Sequence, residues 1–498
     1  MMNWCRSSTS APELYQICQG EQGERMRVFA FIVAMWIVAG SSVEAGNVFV
    51  RDPEQFEKYV TRLAPGDTIV LRSGEEWRDV NLVFEGEGEP GRPIVLAARD
   101  PGKTVFTGQS RLRILGKHLV VTGLVFRDGS LSGGSVISIG SGRGESAQEC
   151  RLTDTAIIDY NPEDSEVNYK WVSVYGRRNR VDHCYFKGQT HVGQAVVVWL
   201  NGEPNNHRID HNYFAGRPNL GRNGGETIRI GTSARSMEVS QTVVEDNLFE
   251  NCDGEAEIIS VKSCENVIRR NAFVSSAGTV SLRHGNRNRV EGNWFVGNGK
   301  ARSGGVRVMG EGHVIVNNHL EGLTGRGNRA ALTILSGVPD AALNSYWQVK
   351  NVTFAHNTVI DCAAFTDIAF GHGQRGRSLA PVGIRISANV VQSTNPNRAM
   401  TIHDATADVS WDRNLWTGPM TDLPEGFAVK DVSFIKGAFL SELSSYSLLA
   451  IPEGDPRLSS DIDGQRRLES VAGSDVGSDA PTRYTMPRRP LVGPKWMD

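Results

Sequence analysis

Three short segments of the chain contain the residue types from which a site for an anionic substrate could be built. They read NGGE (223–226), GEAEIISVKS (254–263) and SLRHGNRNRVEGN (281–293). Glu255 and Glu257 alternate with an alanine, so on a strand both side chains point to one face. Adjacent carboxylates repel one another unless a cation joins them, and oxygen ligands suit Ca²⁺. The spacing therefore indicates a metal-assisted site, although two solvated surface glutamates would show the same pattern.

Cationic side chains follow these glutamates at nearly regular intervals. Lys262, Arg283 and Arg307 are almost equally spaced along the chain. If one interval is one turn of a repeating structure, the three cations stack on neighbouring turns. Lys262 lies an odd number of residues after Glu257, so the strand must bend or bulge near the two intervening isoleucines for both to share a face. A similar irregularity is needed for Arg283 and the adjacent His284 both to reach the site.

The residue types also suit proton transfer. Beside a bound cation the ammonium form of Lys262 is disfavoured, so this lysine can act as a base. Arg283 stays protonated and suits carboxylate recognition or charge stabilisation. An exposed lysine that serves solubility and arginines on a solvated corner are the non-catalytic alternatives.

A repeated motif indicates the fold that must position these residues. An aliphatic residue is followed, after two variable positions, by Asn and then by Phe or an aliphatic residue two positions later. The central asparagines, Asn247, Asn271, Asn293 and Asn318, recur at a near-constant interval. This period, carried by short β-branched runs without long helical stretches, predicts an all-β solenoid, the parallel β-helix. An antiparallel sandwich would not repeat one motif at a near-constant period.

The recurrent asparagine has two expected uses. Asn tolerates left-handed backbone conformation, which suits a bend. Buried at the same corner of successive turns, the side-chain amides can also bond one another in a ladder. Longer spacings around 212–247 and 318–389 indicate inserted loops, which would shape the substrate subsites.

The N-terminal residues 1–45 have the pattern of an extension with a signal peptide. Met26 and Arg27 precede an apolar run over 28–39, and an A-x-A-like site ends at Ala45. This pattern predicts translation from Met26 and a secreted or periplasmic bacterial protein. An uncleaved anchor is the alternative.

The remaining chain divides into a long repetitive part and a tail. The β-helix catalytic domain is expected at 46–440, beginning with a short capping helix. Asp52 is the expected N-cap, Pro53 the first helical residue, and Pro65-Gly66 the end of that helix. Residues 441–498 are expected to form a partly irregular tail that packs on the last turns.

Composition limits the classes of function. The 498 residues carry a net charge of -3, which argues against a generally basic nucleic-acid binder. No stable membrane span is expected, and oligomeric state is left open. Five cysteines follow the signal without a CxxC pair, so a zinc site is not expected. They are interpreted as core residues, with a Cys252–Cys264 pair as an open alternative.

At the chemical motifs the sequence resembles polysaccharide lyase family six, which contains alginate lyases and chondroitinase B. The NGGE, the Glu-x-Glu before VKS and the LRHGNRN segments carry the resemblance, which extends over most of the mature chain. It implies a right-handed parallel β-helix with Ca²⁺ held by Asn223, Glu255 and Glu257. It further implies that Lys262 is the Brønsted base and Arg283 the Brønsted acid.

The resemblance also implies a substrate and its contacts. His284 and Arg307 would contact substrate, and Glu226 joins them as a motif residue without a firm role. The implied reaction is β-elimination on an anionic, uronate-containing polysaccharide, with alginate expected and dermatan or chondroitin sulfate as the alternative. A β-helix that only binds polysaccharide should lack Lys262 or a metal carboxylate, and neither is missing. A hydrolase would need two carboxylates flanking the scissile bond.

Overall fold

The computed structural model describes most of the chain after the predicted signal peptide, which lies outside the described residues. The described residues are 46–74, 77–142, 144, 146–394, 399–420, 422–430, 434–436, 441–443, 460–465, 472–474, 484–489 and 491–497.

Three long parallel sheets surround one core, and each turn of the chain adds a strand to each of them. Sheet 1 consists of Asn47–Val50, Thr68–Leu71, Ile94–Ala98, Leu119–Thr122, Arg151–Thr153, Arg180–Asp182, Arg208–Asp210, Val243–Glu245, Val267–Arg269, Arg289–Glu291, Val314–Val316, Thr353–Ala355, Ile384–Ser387 and Val409–Asp412. The predicted right-handed parallel β-helix is confirmed.

Sheet 2 carries the candidate site on its outer face. Its strands, in spatial order, are Ala147–Gln148, Arg111–Lys117, Gly134–Ile139, Tyr169–Val174, Val196–Val198, Ile228–Gly231, Glu257–Lys262, Gly278–His284, Ser303–Val308, Leu332–Leu335, Thr366–Phe370 and Met400–Ile402. A further strand, Asn81–Glu87, pairs with Arg111–Lys117.

Sheet 3 closes each turn. Its strands are Trp77–Arg78, Thr104–Gly108, Leu124–Gly129, Ala156–Ile158, Tyr185–Lys187, Tyr213–Arg217, Leu248–Cys252, Ala272–Val274, Trp294–Val296, His319–Glu321, Thr358–Ile360, Val390–Gln392, Asn414–Thr417 and Phe427–Val429. Two further strands, Phe434–Lys436 and Ser441–Leu443, pair with each other in antiparallel orientation.

The inward residues of the repeat stack from turn to turn. The motif's aromatic position forms a column of rings with centroids 4.7 to 5.1 Å apart. Its members are Phe186, Phe214, Phe249, Phe273 and Phe295. Because the strands are in register, equivalent side chains meet on every turn and form one continuous apolar core.

The predicted asparagine ladder is present at the corner between sheets 1 and 3. The side-chain amide of each member donates to the side-chain oxygen of the next at 2.9 to 3.0 Å. The members are Asn212, Asn247, Asn271, Asn293, Asn318, Asn357, Asn389 and Asn414, all fully buried.

The expectation that these asparagines adopt the left-handed conformation is wrong. On each turn the left-handed residue is the one before the ladder position, for example Asp246 at φ 55° and Arg270 at φ 51°. The Asn side chain instead accepts a backbone N–H of the preceding turn, as Asn271 does from Asn247 at 3.1 Å. The asparagine is therefore needed for its amide and not for its backbone freedom.

The capping helix is Pro53–Val60, and Asp52 Oδ1 accepts from the backbone N–H of Gln55 at 2.8 Å, as an N-cap does. The helix ends at Val60, earlier than expected from the Pro65-Gly66 signal. Short 3₁₀ turns lie at Ser233–Arg235, Gly327–Arg329 and Lys495–Met497. Within the described ranges no helix is both long and apolar enough to cross a bilayer.

The described parts of the tail lie against both late and early turns. Ala472 packs against Leu415, near the end of the solenoid. Val492 packs against Tyr213, and the Trp496 indole donates to the carbonyl of Asp154 at 2.8 Å. The tail thus reaches well beyond the last turns on which it was expected.

All five cysteines of the described region are free and buried, so the Cys252–Cys264 pair is not formed. The two thiols lie at different corners: Cys252 donates to the carbonyl of Phe214 at 3.6 Å and Cys264 to that of Ser236 at 3.7 Å. Each thiol therefore serves as a core residue.

Candidate active site

The candidate residues meet on the outer face of sheet 2, on neighbouring strands. In the strand register Arg229, Ser260, Ser281 and Arg307 form one row across four turns. Adjacent strands lie about 4.8 Å apart, so side chains from these turns can act on one substrate unit.

The strand that carries Glu257 has the irregularity that the sequence required. Glu257 pairs with Thr279 but Ile259 pairs with Val280, so Ile258 is an extra residue on this strand. Both isoleucines are buried in the core. The bulge shifts the alternation by one residue and turns Glu257 and Lys262 to the same outer face.

A second register shift lies one turn further on. Val261 pairs with Leu282, whereas Lys262 pairs with His284, so Arg283 is the extra residue. The side chains of Arg283 and His284 consequently meet, with the guanidinium Nη1 and imidazole Nε2 2.8 Å apart. Two bulges therefore bring four of the candidate residues to one face.

Three glutamates form a carboxylate cluster at the centre of this face. Ligand oxygens of Glu226, Glu255 and Glu257 all lie within 4.8 Å of one another. No other group of three or more His, Cys, Asp or Glu side chains comes this close among the described residues. Glu226, which had no firm role from sequence, is a member, and Asn223 lies exposed in the loop before it.

The pKa values of Glu255 and Glu226 are shifted in opposite directions. Burial, and then the charges of Glu226 and Glu257, raise the pKa of Glu255 to about 9. Burial also opposes ionisation of Glu226, but the Lys262 ammonium at 3.5 Å and a hydrogen bond of 2.7 Å from Gln194 outweigh it and lower its pKa. Without a further cation the cluster therefore retains a proton on Glu255 at neutral pH.

These residues fit a hard divalent cation. Carboxylate oxygens are the ligands that Ca²⁺ takes, and the three side chains are already close together. The buried Oε1 of Glu255 has no hydrogen-bond partner among the described residues. A cation would supply that partner and relieve the repulsion that raises the pKa of this carboxyl.

Arg307 and Arg283 close the site on the following turns. Arg307 donates to Glu257 Oε1 in a buried ion pair. The Arg283 guanidinium lies 4.6 Å from the Tyr346 ring centroid and donates to the Ser345 carbonyl at 3.2 Å. Burial lowers the pKa of Arg283.

His284 is neutral at physiological pH. Burial, and then the charges of Arg283 and Lys262, lower its pKa to about 3. The imidazole Nε2 lies 2.8 Å from Arg283 Nη1, which can only donate, and 3.2 Å from the Ser345 carbonyl, which can only accept. The buried Nδ1 has no partner among the described residues, so it is available for a hydrogen bond with a ligand.

Several site residues had no individual signal in the sequence. Gln194 holds Glu226 from the preceding turn, and Ser345 and Tyr346 contact Arg283. The last two belong to the insertion between Asn318 and Asn357, whose length marked it as a loop that shapes the site. The sequence could locate that loop but not its contacts.

Comparison with known proteins places the chain in one family. The family model described as chondroitinase B matches residues 50–443. A search of curated protein sequences found no match.

Solved structures give a consistent result. The chain is 39% identical to a PL6 family alginate lyase, AlyGC, over 80% of this chain and 55% of that one, with a TM-score of 0.78. A variant of AlyGC matches at 36% identity over 91% of this chain and 59% of that one, with a TM-score of 0.81. The chain thus spans little more than half the length of AlyGC.

A third structure matches over most of its own length. It is a mannuronic acid specific polysaccharide family 6 lyase from human gut microbiota. Identity is 32% over 77% of this chain and 91% of that one, and the TM-score is 0.70.

Proposed function

We propose that this chain, which belongs to polysaccharide lyase family six, cleaves a uronate-containing polysaccharide by β-elimination, with alginate as the substrate. Family membership rests on the model match over 50–443 and on 32% identity to a family lyase. The family predicted from the motifs is thereby confirmed. The predicted enzyme class, a polysaccharide lyase, is the class to which this family belongs.

The observation that carries the proposal is the position of Lys262. Its Nζ lies 3.5 Å from Glu226 in the carboxylate cluster, and Arg283 is on the next turn of the same face. A uronate bound with its carboxylate at the cluster would present its C5 hydrogen to the lysine. Elimination requires this combination of a base and carboxylate neutralisation.

The proposed step uses Lys262 and Arg283 in succession. Once Lys262 has lost the proton that it holds in its ion pair with Glu226, its amine takes the C5 proton, the C5–H electrons form the C4–C5 double bond, and the C4–O4 bond breaks. Arg283 stabilises and protonates the departing O4, as its buried position one turn away allows. The products are an unsaturated uronate end and a new hydroxyl end, and no water is consumed.

The proposed cofactor is Ca²⁺, held by Glu255 and Glu257 with Asn223, as the motif match implies, and with Glu226 beside them. Bound there, it would neutralise the substrate carboxylate and so make the C5 proton more acidic. His284 and Arg307 are proposed to orient the substrate. The unpartnered Nδ1 of His284 supports this role.

Alginate is favoured because two of the similar structures are named as an alginate lyase and as a mannuronic acid specific lyase. The matching family model is described as chondroitinase B, so dermatan sulfate is the second candidate. The signal-peptide pattern supports a secreted or periplasmic location, which N-terminal sequencing of the mature protein would test.

The deciding experiment measures the ultraviolet absorbance of unsaturated uronate formed by purified residues 46–498. Alginate and dermatan sulfate are supplied in parallel, with and without Ca²⁺. We expect a rise with alginate. A rise with dermatan sulfate alone would keep the reaction and reverse the substrate. Binding of either polymer without any absorbance change would instead identify a non-catalytic polysaccharide-binding protein.

A further inference from the structure

A buried arginine without an ionic partner lies beneath the carboxylate cluster. Arg217 is 3% exposed and ends a strand of sheet 3. No carboxylate among the described residues lies within ion-pair distance of it. Its guanidinium donates instead to Gln189 Oε1 and to backbone carbonyls, of which Gly193 at 2.6 Å is the nearest.

One further contact reaches the segment that carries Glu226. The same Nη2 approaches the carbonyl of Gly224 at 3.5 Å, two residues before Glu226. The Gly224 carbonyl in turn accepts from the backbone N–H of Gly193 at 2.9 Å. One side chain therefore ties the NGGE loop to the preceding turn.

The glycines of both motifs make room for this arginine. A Cβ on Gly254, the residue before Glu255, would lie 2.5 Å from Arg217 Nε and 2.1 Å from the Gly225 carbonyl oxygen. A Cβ on Gly225 would lie 2.5 Å from the Gly254 carbonyl group. The two glutamate loops thus pack backbone to backbone over the guanidinium, which explains the glycine that precedes each glutamate.

Arg217 keeps its charge despite this burial. Burial lowers its pKa to about 10, and the charge of Glu226 acts most strongly against that decrease. At neutral pH the guanidinium therefore remains protonated, and its two terminal nitrogens donate to the preceding turn and to the NGGE loop.

We propose that Arg217 is the positioning residue of the carboxylate site: by fixing the loop before Glu226, against which the loop before Glu255 packs, it sets the geometry in which the cluster binds a divalent cation. The part of this inference that concerns cation binding rests on the proposed function. Residues that orient metal ligands without touching the metal commonly change affinity by about 10- to 100-fold.

A purely electrostatic role of Arg217 would change the affinity for the cation in the opposite direction. A buried positive charge repels a bound cation, so its removal alone would tighten cation binding. Positioning predicts weaker binding whether or not the charge is retained, because neither Lys nor Met can donate to the same set of carbonyls. Arg217→Met and Arg217→Lys therefore separate the two roles.

The test combines calorimetric titration with Ca²⁺ and hydrogen exchange of the metal-free proteins. Both variants are expected to bind Ca²⁺ at least about tenfold more weakly than the wild type. Amides of residues 219–226 and 253–257 should exchange faster, while those of the ladder strand Ala272–Val274 stay protected. Arg270→Met is the matched control, since Arg270 is a partly buried arginine that pairs with Glu245 and Asp246. It should leave Ca²⁺ affinity and exchange in the two loops unchanged.

The possible outcomes test the positioning role of Arg217 and the proposed calcium site separately. Unchanged affinity and exchange in both variants would overturn the positioning role, as would tighter binding by Arg217→Met with unchanged Arg217→Lys. If Arg217→Met fails to fold, Arg217→Lys decides. A wild type that binds no Ca²⁺ would refute the proposed calcium site, and loop exchange would still decide whether Arg217 orders the loops.

Discussion

Two rows of buried polar side chains run across the turns of this protein, and they differ in how their hydrogen bonds are satisfied. In the asparagine ladder each interior member both donates to and accepts from its neighbours, as Asn271 does with Asn247 and Asn293. In the candidate site, Glu255 Oε1 and His284 Nδ1 are buried without partners among the described residues.

The difference has an energetic meaning. A buried polar atom without a partner costs about 1–3 kcal/mol, whereas a satisfied one is nearly neutral or stabilising. The ladder therefore stabilises the solenoid, while the site retains a cost that a ligand can remove. The backbone shows the same contrast, because ladder strands stay in register, whereas the site strands carry three register shifts.

The sharpest test of this contrast is Lys262→Ala. Loss of the base should reduce turnover by a factor of about 10² to 10⁴. The variant should still fold, with a lower unfolding midpoint, because buried Glu226 loses its ionic partner. Initial rates of unsaturated-uronate formation and urea unfolding measure the two effects. Lys187→Ala, at an exposed strand end, is the control. A Lys262→Ala enzyme with near wild-type rates would remove this lysine from the mechanism.

Metal removal should have the next largest effect. Chelation is expected to lower activity about tenfold or more, with recovery on Ca²⁺ addition, because the cluster then repels the substrate carboxylate. Activity and bound metal are measured on the same samples. Full activity in protein shown to be metal-free would contradict the cofactor proposal.

Asn271→Ala tests the other row. The substitution leaves the backbone N–H and side-chain amide of Asn247 without their acceptor, and should destabilise the protein by roughly 1–3 kcal/mol. The rate per folded molecule should stay near that of the wild type. Urea unfolding and activity are compared with Asn201→Ala, an exposed asparagine. A large loss of activity in the folded variant would show that the two rows are not independent.

The last expected effect is on the pH dependence of stability. The pKa of Glu255 is about 9 in the folded protein, above the ordinary value of 4.5, so the folded state holds this proton more tightly than the unfolded state. Stability of metal-free protein should therefore fall as pH rises from about 5 to about 9. Relative to Glu255→Gln, which cannot ionise, the wild type should lose stability across that window.

Unfolding midpoints in chelator at several pH values measure this difference. Glu265→Gln is the control, since the pKa of Glu265 is lowered by Arg287 and its titration lies on the acid side. Parallel pH profiles for wild type and Glu255→Gln would mean that Glu255 is already ionised at neutral pH.

Much of the fold could be read from spacing alone. A motif that recurs at a near-constant interval requires equivalent environments on successive turns, so the β-helix and the ladder followed from the asparagine positions. The capping helix followed from Asp52 and Pro53, although it ends earlier than the Pro65-Gly66 signal indicated.

The site was only partly accessible to the same reasoning. Because side chains alternate along a regular strand, Glu257 and Lys262 could share a face only if the strand bulged between them. The alternation therefore predicted the position of a bulge. The role of Glu226 in the cluster and the contacts of Gln194 and Tyr346 had no sequence signal. They depend on which loops approach the face, and loop paths are not periodic.

By itself, then, the sequence determined what repeats: the turns, the ladder, the stacked core, and the residue types that carry the chemistry. The tertiary structure decided what does not repeat. Two extra residues, Ile258 and Arg283, redirect the strands, and Arg217 lies under two glutamate loops that belong to successive turns. Local periodicity encodes regular hydrogen bonding, whereas a site needs side chains brought together by departures from it.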